Sequence, residues 1–172
     1  MTGIFLKKPP RNRIPVCLIA AGILSLTMGG LMDFSQPVQA DERYWTDPAT
    51  GFAMGGYDVV SYWSSGGQVL GTDEYEVQKG NVTWRFSNQG NYEEFLKHFK
   101  TYAPQFSGYG AYGVSQGKTP RGNPKIWVIA DNKLYFFFSL EARTRWRLAR
   151  KKYIREAIKN WPVLKRQISH LS

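Results

Sequence analysis

The sequence predicts an α+β fold, with small antiparallel β-hairpins packed against helices. Three observations carry that expectation. Short runs of alternating apolar and polar residues are joined by turn residues. Each pair of runs is followed by apolar residues at helical spacing. The plan also appears twice, as Trp84-Arg85-Phe86-Ser87 before one helix and Phe136-Phe137-Phe138-Ser139 before the other, which suggests an internal pseudo-repeat.

Residues 1–40 read as a signal peptide. Lys7, Lys8, Arg11 and Arg13 precede an uncharged stretch from Ile14 to Met32, and Val38-Gln39-Ala40 is a small-x-small exit. Cleavage is expected after Ala40. The alternative is an uncleaved membrane anchor, because the apolar run approaches the roughly 20 residues that span a bilayer. Both readings export residues 41–172, to the periplasm or another extracytoplasmic space, since the flanking cations stay inside. Cys17 precedes most of the apolar run, which is the wrong place for a lipid-carrying cysteine. It is the only cysteine of the 172 residues, so the exported part can form no disulfide.

Asp41 to Trp63 is rich in turn residues, and Asp58 is placed to cap a short helix reaching Tyr62. Tyr75 and Val77, then Val82, Trp84 and Phe86, predict a hairpin across Lys79-Gly80-Asn81. Tyr92, Phe95, Phe99 and Tyr102 predict a helix, with Asn91 and Glu94 as its capping box and Pro104 as its end. Ile126–Ala130 and Leu134–Phe138 predict a second hairpin across Asp131-Asn132. Ser139 then caps one long helix whose buried face carries Trp146, Ala149, Tyr153, Ala157 and Trp161. Pro162 closes or kinks it, leaving residues 163–172 as a basic tail after a domain of residues 41–162. Between the two units, Gly108 to Gly117 holds four glycines. It lacks the Gly and Lys spacing of a phosphate loop.

Several motifs together resemble the exported YHS-domain proteins. They are Asp47-Pro48-Ala49-Thr50-Gly51, Gly56-Tyr57-Asp58-Val59-Val60-Ser61-Tyr62, Thr83 to Ser87, Asn91 to Phe95, Tyr102 to Phe106, Gly108-Tyr109 to Val114-Ser115, and Asn160-Trp161-Pro162. The resemblance covers nearly all of residues 45–162. It implies a small α+β module, some of whose cysteine-bearing relatives handle heavy metals, copper especially. Here Thr50, Ser87 and Asn91 stand where that form has cysteines, and Gly110 where other exported members have one. The chain therefore resembles a cysteine-poor branch, and the resemblance supports the fold more than the metal.

The remaining chemistry is sparse. Soft metals need thiolate, thioether or imidazole donors, and the exported part offers only Met54, His98 and His170. No cofactor is predicted, with His98 and Met54 as the candidates for copper or zinc. No nucleophile elbow or paired acid and base is present, so no catalytic residue is assigned. Composition excludes wholesale disorder, at 42% apolar and 15% aromatic content. The charge is concentrated, because residues 141–166 hold ten Lys or Arg against two Glu. Arg143, Arg147, Arg150, Lys151, Arg155 and Lys159 are expected to share one solvent-facing side. That face suits an anionic partner such as lipid head groups, a cell-wall polymer or an acidic protein. Nucleic acid fits the charge too, but exported proteins rarely meet it. Tyr57, Asp58, Tyr62, Tyr109 and Tyr112 lie in glycine-rich stretches and are the candidates for a small-ligand pocket. The leading expectation is a non-catalytic binding module, with a metal-handling protein and an enzyme of unknown class as alternatives.

Overall fold

A computed structural model describes residues 43–64 and 66–170. The expected signal segment, Cys17 and the His170 side chain lie outside the described part. The strands are β1 (Tyr57–Asp58), β2 (Val69–Leu70), β3 (Thr72–Lys79), β4 (Val82–Phe86), β5 (Asn123–Ala130) and β6 (Lys133–Phe137). The helices are α1 (Gln89–Lys97), α2 (Phe99–Tyr102), α3 (Ala111–Ser115), α4 (Leu140–Leu148) and α5 (Arg150–His170). Strands pair antiparallel as β1–β2, β3–β4 and β5–β6, giving the α+β class that the sequence predicts. Among the described residues, no helix is long and apolar enough to cross a membrane.

The doubled plan in the sequence is a structural repeat. Asn88 and Ser139 cap α1 and α4 and stand 51 residues apart, and the same step carries β3 to β5, β4 to β6 and α1 to α4. Both hairpins turn on two residues with positive φ, Gly80-Asn81 and Asp131-Asn132, which matches the twist of the flanking strands. Both caps accept a backbone N–H three residues on, from Asn91 at 2.9 Å and Ala142 at 3.2 Å. Both helices break at the same place, His98 (φ −128°, ψ 40°) and Ala149 (φ −140°, ψ 46°). The openings match as well. Met54-Gly55-Gly56 and Phe106-Ser107-Gly108 are each three consecutive left-handed residues. Gly71 donates its N–H to the Gly56 carbonyl at 2.9 Å, and Gly122 to that of Gly108 at 3.1 Å.

Three sequence expectations need correcting. The cap of α1 is Asn88, and Asn91 sits inside the first turn, where its side chain is used elsewhere. The single helix after Ser139 is two helices. Nothing at Ala149 stops a helix locally, so packing sets the break, as it does at His98. Pro162 does not end α5, which runs on through His170 and buries Leu164, so the expected tail is helical. A proline there removes the hydrogen bond to the Ile158 carbonyl. Ile158 and Pro162 are both exposed, so water can satisfy that group.

Strand β6 explains how two cores share one wall. Successive strand residues point to opposite faces. Leu134 and Phe136 enter a core with Tyr44, Trp84, Phe86 and Phe95, whereas Tyr135 and Phe137 enter a second core with Val114, Trp146 and Ala157. The unbroken apolar run that looks unlike an alternating strand is thus a strand buried on both sides. Edge-to-face rings fill both cores, with Tyr44 on Trp84 at 4.9 Å and Phe137 on Trp146 at 5.2 Å between centroids.

Candidate functional site

Asp58 is fully buried and lines none of the described cavities. Its Oδ1 accepts the Val60 and Ser61 N–H groups at 2.9 and 3.3 Å. Its Oδ2 accepts the Ser87 N–H at 2.9 Å, the Ser87 hydroxyl at 2.7 Å and the Asn91 amide at 2.7 Å. A buried carboxylate holds its charge only with such donors. Asp58 therefore closes the turn that leads into Ser61–Trp63, whose cap position is Val60 and not Asp58 as the sequence suggests, and ties it to the β4–α1 junction. Ser87 and Asn91 are two of the positions where the YHS resemblance puts cysteines. Thr50 takes no part, because its hydroxyl donates to Asp47 in an exposed turn.

The four tyrosines do not form one pocket. Tyr62 is a core residue whose hydroxyl donates to the Pro124 carbonyl at 2.8 Å, with Trp127 and Phe136 edge-on to its ring. Burial first, then the charges of Tyr57 and Asp58, pushes its phenol pKa far up. Tyr57 is half-buried against that same core. Tyr112 packs on Tyr153 in the other core. Tyr109 alone touches both cores and also lines a cavity of about 390 Å³.

Several segments build that cavity. The left-handed run Phe106-Ser107-Gly108 delivers Tyr109, which bridges to Arg121 as Tyr57 pairs with Leu70 in the first repeat. Two of those three residues carry side chains that disfavour the conformation, a strain of the kind found at binding sites. The segment Arg43 to Thr46 is pinned alongside, with the Trp45 indole N–H donating to the Gly108 carbonyl at 2.8 Å and its backbone N–H to the Ser107 carbonyl at 3.1 Å. Asn81 and Val82 arrive from the first hairpin turn, and Ile168 from the end of α5. Among the described lining residues there are two guanidiniums and no carboxylate. Burial raises the Tyr109 phenol pKa, and the Arg121 charge offsets part of that rise. Tyr109 is therefore a neutral hydroxyl at ordinary pH. Sequence reading misses Arg43 and Arg121 because each is a lone arginine in irregular chain, with no spacing to single it out.

The candidate metal donors do not present one site. Met54 is sealed in the core, with its thioether against Gly108. The His98 side chain is 58% exposed, 4.0 Å from Glu94, in a shallow surface hollow that Lys79, Lys97 and Lys100 also line. Three lysines repel a cation. Among the described residues, no group of three or more His, Cys, Asp or Glu could hold a metal ion.

The break at Ala149 divides the basic stretch. Arg143 and Arg147 belong to α4, whereas Arg150, Lys151, Arg155 and Lys159 belong to α5. Arg147, Lys151, Arg155 and Lys159 are exposed. Arg143 is half-buried, and Arg150 reaches Asp131 at 3.5 Å. No family model, curated protein or solved structure matches this chain.

Proposed function

We propose that the protein is an exported, non-catalytic binding module resembling the YHS-domain proteins, and that the cavity under Tyr109 takes a small ligand. The carrying observation is the cavity itself. It falls within the roughly 300–1,000 Å³ of small-molecule sites, and its lining is mainly polar with a smaller apolar side from Trp45, Val82 and Ile168. The YHS reading is supported by Asp58, Ser87 and Asn91. They come from three separate motifs of that resemblance and meet at one hydrogen-bonded node. The cationic helix α5 ends at this cavity through Ile168, which biases an approaching anion toward it.

The test is native mass spectrometry of the whole protein, purified gently from the cells that make it. A small-molecule mass is expected that disappears on denaturation and is absent from the Tyr109→Ala variant. A ligand-free protein, or an adduct indifferent to Tyr109→Ala, would count against the reading.

A further inference from the structure

The cavity's chemistry narrows its ligand to one class. Arg43 and Arg121 line it, both exposed, and among the described residues neither makes an ion pair. The five ion pairs seen among the described residues involve other groups. The Tyr109 hydroxyl likewise has no hydrogen-bond partner among the described residues, although the ring is packed on Trp161. Three donors therefore line one space with no acceptor for them among the described residues. Trp45, Val82 and Ile168 supply an apolar side.

The repeat shows that this charge is not demanded by the fold. Tyr109 and Arg121 are flanked by Gly108 and Gly122, as Tyr57 and Leu70 are by Gly56 and Gly71, and the same backbone bond closes each pair. The position of Arg121 is thus held by Leu70 in the first repeat, where it is 58% exposed. The same backbone accepts an uncharged residue. An arginine at that position in the second repeat lines the same cavity as a second arginine, with no carboxylate among the described lining residues, so like charges share that space. An anion between the two relieves their repulsion.

We propose that the cavity binds a small organic anion, a carboxylate or phosphate monoester with a compact apolar body. Its head group sits between Arg43 and Arg121 and accepts a hydrogen bond from Tyr109. Guanidiniums suit both head groups because their planar donors pair with two oxygens at once. This rests on the small-ligand reading above and adds the sign of the ligand's charge.

The experiment is calorimetric titration of the whole protein with phenyl phosphate, benzoate and neutral benzyl alcohol. Binding of one or both anions is expected, and their ratio distinguishes phosphate from carboxylate. Arg121→Leu, which copies the first repeat, and Arg43→Gln should each weaken that binding about tenfold or more. Lys151→Gln on the basic helix should leave it unchanged. Equal binding of benzyl alcohol would overturn the anion assignment while the small-ligand reading stands. Binding of none of the three would count against both. Anion binding lost in Lys151→Gln but kept in Arg121→Leu would place the interaction on the helix and overturn the proposal. Circular dichroism of each variant checks that it is folded.

Discussion

Asp58→Ala is expected to cost about 4 kcal/mol of folding stability, the largest effect of any single polar substitution. The change removes one acceptor group and strands the N–H groups of Val60, Ser61 and Ser87, the Ser87 hydroxyl and the Asn91 amide. Stranded buried donors cost more than the bonds themselves contributed. The second repeat shows the other solution. Gly110 follows Tyr109 as Asp58 follows Tyr57, and Phe138 and Ala142 stand 51 residues after Ser87 and Asn91. There the polar side chains are replaced together, and the Phe138 ring is exposed. The combined variant Asp58→Ala, Ser87→Ala, Asn91→Ala should therefore lose less than the sum of its single changes. Urea denaturation of the parent protein, the three single variants and the combined variant measures this. Strict additivity would mean that the node is not one cooperative unit.

Gly71→Ala and Gly122→Ala are each expected to cost about 3 kcal/mol by overpacking. A Cβ at Gly122 would run into the Gly108 carbonyl oxygen and, at 2.5 Å, the Phe136 Cβ. At Gly71 it would meet the Arg85 backbone and, also at 2.5 Å, the Arg85 Cβ. Neither neighbour is the free end of a flexible side chain, so the backbone must move. The two positions are equivalent in the repeat, and Phe136 follows Arg85 by the same 51 residues. Thermal melts should show both variants destabilised to a similar degree. A neutral result at either position would contradict the close backbone approach that closes both openings.

Much of this fold is legible in the sequence because its signals are local. Gly80-Asn81 and Asp131-Asn132 are residues that tolerate positive φ, and the strand-forming runs beside them, alternating in the first hairpin and unbroken in the second, place the two hairpins. The Ser139 cap and the buried Trp146 and Ala157 follow from the same local reading. What escapes it is decided by packing. Ala149 breaks a helix without a breaking residue, and Pro162 sits inside one at an exposed stretch, where the Ile158 carbonyl it leaves unbonded can be hydrated. The tyrosines scatter because strand and helix geometry send Tyr62 and Tyr112 into different cores, although both lie in glycine-rich sequence. Of these tyrosines Tyr109 lines a described cavity, and the arginines beside it come from positions 66 and 12 residues away in sequence, Arg43 and Arg121.

The most direct test of the central claim is a ¹⁵N–¹H correlation spectrum of the protein titrated with phenyl phosphate. The account predicts that the largest shifts fall on the Trp45 indole N–H, Asn81, Tyr109 and Arg121, saturating together with one affinity. Shifts spread along Arg147, Lys151, Arg155 and Lys159 without saturation, and none around Trp45, would contradict it. In that case the anion would bind the basic helices alone, and the cavity would be an ordinary gap between two repeats.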